Sequence, residues 1–160
     1  MSPDALFEHF QALAAELGVV TVYNAETFKD ELEYEGEALG AYSLGWPFDD
    51  LDLIVVVVAM NREPRDREAL LVALHELGHV AVRHVDRKGR LKVGRRKASL
   101  LGQEALAWLW ALEHLPWDPK PDDWHQIAWR LRTYWDAHRS RRKPRIFIDL
   151  LARAEEGAAA

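Results

Sequence analysis

The stretch from Arg67 to His84 constrains this chain more than any other, because it joins a helix-length apolar pattern to the run His75-Glu76-Leu77-Gly78-His79. Residues four apart on a helix of 3.6 residues per turn lie one turn along the same face, about 40° from eclipsed. Both imidazoles can therefore reach one ion. Glu76, about 100° round the helix from His75, then stands beside that ion as a base for water rather than as a ligand. Two histidines at this spacing with an adjacent glutamate point to zinc chemistry. The competing reading is two ordinary histidines flanking a core face. Leu70, Leu71, Leu74, Leu77, Gly78 and Ala81 predict a helix that turns one apolar face inward.

The 160 residues contain no cysteine, so disulfides and thiolate metal sites are excluded, zinc fingers among them, and imidazole and carboxylate remain as ligands. Length and an apolar share of 49% predict one domain with a proper core. The chain has no apolar run of about 18 residues, and Met1-Ser2-Pro3-Asp4 lacks the shape of a signal peptide. A cytoplasmic protein without a membrane partner is the expectation. Charge is divided: residues 1–60 carry a net -11 and residues 61–160 a net +6, so the two parts attract each other or the basic part serves a partner.

Ser2-Pro3-Asp4 starts a helix with the stripe Leu6, Phe7, Phe10, Leu13, Ala14 and Leu17, ended by Gly18. Val19 to Tyr23 reads as a strand, Phe28 to Leu39 as unpatterned acidic chain, Gly40 to Gly45 as a short strand, and Trp46-Pro47 as a turn. Leu53 to Ala59 is a continuous apolar run suited to a central strand. Asp66 is placed to cap the His75 helix. Arg87 to Lys97 is a basic, glycine-containing loop. Ser99 begins a helix to about His114, and Leu115-Pro116 ends it. A helix over Asp122 to Ala137 buries Trp124, Ile127, Ala128, Leu131 and Trp135. A basic turn, Arg139 to Arg145, then leads into a helix over Ile146 to Ala154, followed by a disordered tail over 155–160.

A catalytic zinc site usually has three protein ligands and one open position. His84 lies nine residues past His75, about 180° round the same helix, and one residue short of the longer H-E-x-x-H-x-x-G-x-x-H spacing. Glu104 sits among Leu100, Leu101, Ala105, Leu106, Ala107 and Trp108, where a carboxylate costs several kcal/mol unless a partner compensates it. A bound cation is one such partner; a buried arginine such as Arg67 or Arg130 is another. Glu113 is about 180° from Glu104, so at most one of them faces the ion, and the apolar surroundings favour Glu104.

These features together resemble the ImmA/IrrE family of small metallopeptidases: His75-Glu76-Leu77-Gly78-His79 after an apolar strand ending near Asn61, then Glu104-Ala105 in a buried helix closing with Leu115-Pro116. The likeness covers roughly residues 19–116, with 117–154 as a helical extension of the same domain, 1–154. It implies an α+β fold, a small twisted, mainly antiparallel three-stranded sheet packed on the motif helix and further helices, in the manner of the gluzincins. It also implies zinc held by His75, His79 and Glu104, Glu76 as general base, and peptide-bond hydrolysis of a regulatory protein such as a helix-turn-helix transcriptional repressor. Leu106, Ala107 and Trp108 depart from the residues that often follow the family's Glu-Ala pair.

Tyr42, His84, His114 and Tyr134 are candidates for a second oxyanion donor, and the glycine-bounded strand at 40–45 for an edge that accepts an extended peptide. The alternatives are a zinc-binding regulatory module without turnover and, more weakly given the acidic total, nucleic-acid binding through 87–97 and 139–145.

Overall fold

The computed structural model describes residues 1–23, 41–48, 53–60, 62–83, 100–138 and 142–160. Their order is α1 (Pro3–Glu16), β1 (Val20–Tyr23), β2 (Ala41–Phe48), β3 (Leu53–Met60), α2 (Arg67–Arg83), α3 (Leu100–Glu113), α4 (Pro121–Ala137) and α5 (Arg145–Ala159). The expectations at 28–39, at His84, at 87–97, at Ser99 and at 139–141 lie outside the described residues.

The α+β expectation with a mainly antiparallel, gluzincin-like sheet is corrected here: the described residues are mostly helical, with five helices. Strand pairing is confined to a small, mixed backbone ladder in the order β1-β3-β2. β1 runs parallel to β3, from Val20 opposite Val57 to Tyr23 opposite Met60, while β2 is antiparallel to it. The Trp46-Pro47 turn is also corrected, because both residues lie within β2, with Pro47 opposite Ile54. A proline lacks the N–H that a ladder needs, and β2 tolerates one because, among the described residues, it pairs with β3 on one side only.

Local chemistry accounts for the helices. Ser2 Oγ accepts from Ala5 N at 3.2 Å to cap α1, and Gly18, at φ +66°, provides the left-handed residue that ends it. Asp66 Oδ1 accepts from Ala69 N at 2.8 Å and caps α2. α2 departs from the one-faced helix of the pattern: Leu70 to His75 and Leu77 to Val80 are all buried. It packs against α1, α3, β2 and β3, so it is the central rod of the fold. Its glycine permits one of these contacts. A Cβ on Gly78 would stand 2.4 Å from the carbonyl oxygen of Ala107, so α2 and α3 meet backbone to backbone there.

α4 and α5 form a helical pair through Trp124, Ile127, Leu131, Phe147, Leu150, Leu151 and Ala154. α5 continues to Ala159 where a disordered tail was expected. Gly157 sits where a Cβ would fall 2.5 Å from the Trp124 ring, and Ala158 packs on the core, so these residues have tertiary contacts to hold them. Trp135 is half-buried, its ring 6.2 Å from that of Phe147. Among the described residues no helix is long and apolar enough to cross a membrane.

A buried acid fastens α4 to α2. Asp123 Oδ2 receives Arg67 Nη2 at 2.5 Å, Lys120 N at 2.9 Å and Trp117 Nε1 at 3.2 Å, and the Arg67 guanidinium lies 4.1 Å from the Trp117 ring. Three donors on one carboxylate oxygen compensate its burial.

Candidate metal centre

His75 and His79 leave α2 one turn apart, and Glu104 leaves α3 from the stretch that Gly78 allows to lie against α2. All three are buried, at 5%, 6% and 4% exposure, which is unusual for such side chains unless something compensates them. The two Nε2 atoms are 3.1 Å apart; Glu104 Oε2 is 3.3 Å from that of His75 and 3.4 Å from that of His79. The three donors lie within 4.8 Å of one another and could hold one metal ion. Among the described residues they form the one such group of three or more.

The outer ring nitrogens, Nδ1 of His75 and Nδ1 of His79, and the Glu104 Oε2 that closes the triangle are buried without a hydrogen-bond partner among the described residues. Metal-bound histidines usually pass their outer N–H to a carboxylate or carbonyl, which fixes the ring. Here packing orients it: the Trp108 indole stacks on His75, centroids 4.0 Å apart and planes 20° from parallel, while the His79 ring meets His75 edge-on at 4.5 Å. Trp108 is fully buried.

Burial pushes His75 down to about 4, against the neighbouring Glu104 carboxylate, which would raise it. Burial alone would raise the Glu104 carboxyl, but the His75 and His79 imidazoles, 3.3 and 3.4 Å away, outweigh it and bring Glu104 down to about 2. Both shifts act the same way on the metal-free fold. The unfolded chain binds more protons than the folded one from about pH 6.5 to about 4 at His75, and from about 4.5 to about 2 at Glu104. Stability contributed by the pair is therefore present at neutral pH and lost on acidification. The urea midpoint of metal-free protein is expected to fall between pH 7 and pH 4, and to fall less in His75→Gln. Equal slopes would show that His75 is not among the groups responsible.

Glu76 is half-buried beside the triad. Two residues of α4 share its surroundings. The Tyr134 hydroxyl is pushed well above the usual tyrosine range by burial and then by the negative charges of Glu104 and Glu76. Arg130, one turn earlier, is held below its usual range by burial, with Glu76 acting against that shift. Of the expected oxyanion donors, Tyr134 is thus at the site. His114 is engaged elsewhere: its Nδ1 donates to the Trp110 carbonyl at 2.8 Å, its ring stacks on Trp110, and its own carbonyl accepts from His9 Nε2. The Tyr42 side chain and His84 lie outside the described residues.

Neither arginine offered as an alternative partner for Glu104 is seen in that role among the described residues: Arg67 is paired with Asp123, and the groups that act on the Glu104 carboxyl are the His75 and His79 imidazoles. Sequence reasoning missed the stacking of Trp108 on His75. The signal for it was the i, i+4 spacing of Glu104 and Trp108, which puts them on one face of α3.

Comparison with family models, with curated proteins and with solved structures finds no match to this chain.

Proposed function

We propose that this protein is a zinc-dependent peptidase of the cytoplasm, in which His75, His79 and Glu104 hold the ion and Glu76 is the general base. The observation that carries the reading is the closed triangle of donors, 3.1, 3.3 and 3.4 Å on its sides, buried and short of other partners. A tetrahedron with bonds of about 2.05 Å has edges of about 3.3 Å, whereas an octahedron of the same bond length has edges of about 2.9 Å. Two imidazoles and one carboxylate suit zinc better than calcium or magnesium, which take oxygen ligands. The resemblance of the motif residues to ImmA/IrrE metallopeptidases supports the same chemistry and suggests a regulatory protein as substrate.

Zinc bound there supplies a Lewis acid that brings the pKa of a water to about 7 and polarises a carbonyl. Glu76 takes the proton of the attacking water and delivers it to the leaving amine. Tyr134 is protonated at neutral pH, as any tyrosine is and the more so with its pKa raised, so its O–H is available to the oxygen on which charge develops. The apolar packing of Trp108, Leu74 and Leu77 limits water around the ligands.

The test is metal analysis of protein purified without chelator, followed by incubation with a peptide library and product identification by mass spectrometry. About one zinc per chain and cleavage abolished by chelation and restored by zinc are expected. Zinc without cleavage would instead favour a regulatory module on the same residues. No metal in the native chain would remove both.

A further inference from the structure

Three rings pack together at the centre. The Trp108 indole lies on the face of His75, centroids 4.0 Å apart and planes 20° from parallel, and the His79 ring meets His75 at 73°, with centroids 4.5 Å apart. Trp108 follows Glu104 by one turn of α3, so the helix that supplies the third donor also supplies the ring that covers the first. The indole is fully buried, and its Nε1 has no hydrogen-bond partner among the described residues. An unpartnered N–H at this depth is a cost that Phe or Leu would avoid, so apolar packing alone gives no reason for a tryptophan here.

A histidine ring turns about its last torsion in a broad, roughly two-fold well, and a free ring does not keep its Nε2 on one point. In most metal centres a hydrogen bond from Nδ1 stops that rotation. Nδ1 of His75 makes none among the described residues, yet Nε2 stands 3.1 Å from that of His79 and 3.3 Å from Glu104 Oε2. The indole face restrains the plane of the ring instead. It has a second effect once an ion is bound, because a dication on Nε2 draws electrons from the imidazole and leaves positive charge on it. Of the aromatic side chains, tryptophan presents the π face that attracts such charge most, and a site shielded from water strengthens the attraction.

We propose that Trp108 is a positioning residue of the metal centre, whose π face fixes the His75 ring and stabilises the charge that a bound dication leaves on it. It does for this ligand what a hydrogen bond to Nδ1 does for others. The inference rests on the metal-binding part of the function proposed above and adds a determinant of affinity; hydrolysis plays no part in it.

Zinc affinity is measured by competition with a chromophoric chelator on the full-length native chain, Trp108→Phe, Trp108→Leu and a control, Phe147→Leu. The control removes a fully buried ring from the contact between α4 and α5. Trp108→Leu should weaken zinc binding about tenfold or more, as when the outer partner of a ligating histidine is removed. Trp108→Phe keeps a weaker π face and should fall between that variant and the native chain. Phe147→Leu should lower the melting temperature of metal-free protein and leave zinc affinity unchanged. Cobalt(II) adds a signature that lost stability would not move. Its visible bands follow ligand geometry and should change in Trp108→Leu but not in Phe147→Leu.

Zinc bound equally by the native chain and Trp108→Leu would overturn the inference and leave the metal centre standing. Equal losses in Trp108→Phe and Trp108→Leu would overturn it too, since a π face would then contribute nothing. So would the same weakening in Phe147→Leu, by showing that affinity follows the stability of the whole fold. No zinc in the native chain would remove the metal centre itself, and this inference with it. Should Trp108→Leu fail to fold, Trp108→Met, which is flexible enough to fill the space and has no π face, takes its place.

Discussion

Gly78→Ala is expected to destabilise the protein by about 3 kcal/mol and to weaken metal binding at the same time. The added Cβ would lie 2.4 Å from the Ala107 carbonyl oxygen and 3.0 Å from its carbonyl carbon and Cα. These are backbone atoms, so no rotamer change relieves the clash and α3 must move. Overpacking a tight interior costs about 1–3 kcal/mol and sometimes more. In the other direction, alanine is favoured over glycine in a helix by about 1 kcal/mol. The steric cost wins because a contact this close cannot be absorbed locally. For a chain of this size the loss corresponds to a fall in Tm of about 6–12 °C. Ala107 is three residues beyond Glu104, so moving α3 also draws Oε2 away from the two imidazoles. Thermal melting with and without zinc measures both effects. Unchanged stability with intact metal binding would mean that α2 and α3 do not meet at this point.

Glu76→Gln is expected to leave the fold and the metal content in place and to lower peptide hydrolysis by about 10²- to 10⁴-fold, the usual contribution of a positioned acid–base group. Glutamine has nearly the same shape as glutamate but cannot accept the proton of the water at neutral pH. Glu76 is not one of the three donors, so the ion keeps its ligands. Metal analysis alongside turnover separates the two roles. Full activity in the variant would move the base to another residue, while loss of metal with loss of activity would make Glu76 a ligand or a support for one.

The candidate centre was legible in the sequence because its information is local. His75 and His79 are brought together by the helical repeat alone, and Glu104 stood out as an acid in apolar company. The run Leu53 to Ala59 falls within β3, the middle of the ladder, as its unbroken apolar character suggested. What failed depends on contacts distant in the chain. β1 runs parallel to β3, and no alternation of apolar residues encodes a strand's direction. Trp46-Pro47 carries turn chemistry, yet an edge position makes the missing N–H harmless. The end of α5 is small and polar enough to read as a tail, and its order comes from the Trp124 ring across the helical pair. Tyr134 was one of four candidates until α4 was placed, and α4 is placed by Asp123, a buried acid that reads in the sequence as an ordinary first-turn residue.

Two of the donors sit one turn apart on a single helix, and the third comes 25 residues after His79. That spacing sets an order of assembly. A turn of α2 is enough to offer an ion two imidazoles, so a weak encounter is possible while the rest of the chain is still unfolded. Closing the segment between His79 and Glu104 costs chain entropy that grows only slowly with its length, and an ion already on α2 would supply the attraction that draws the carboxylate across it. The ion would then act as a template for folding, guiding α3 to the one stretch of α2 where a glycine leaves room for it.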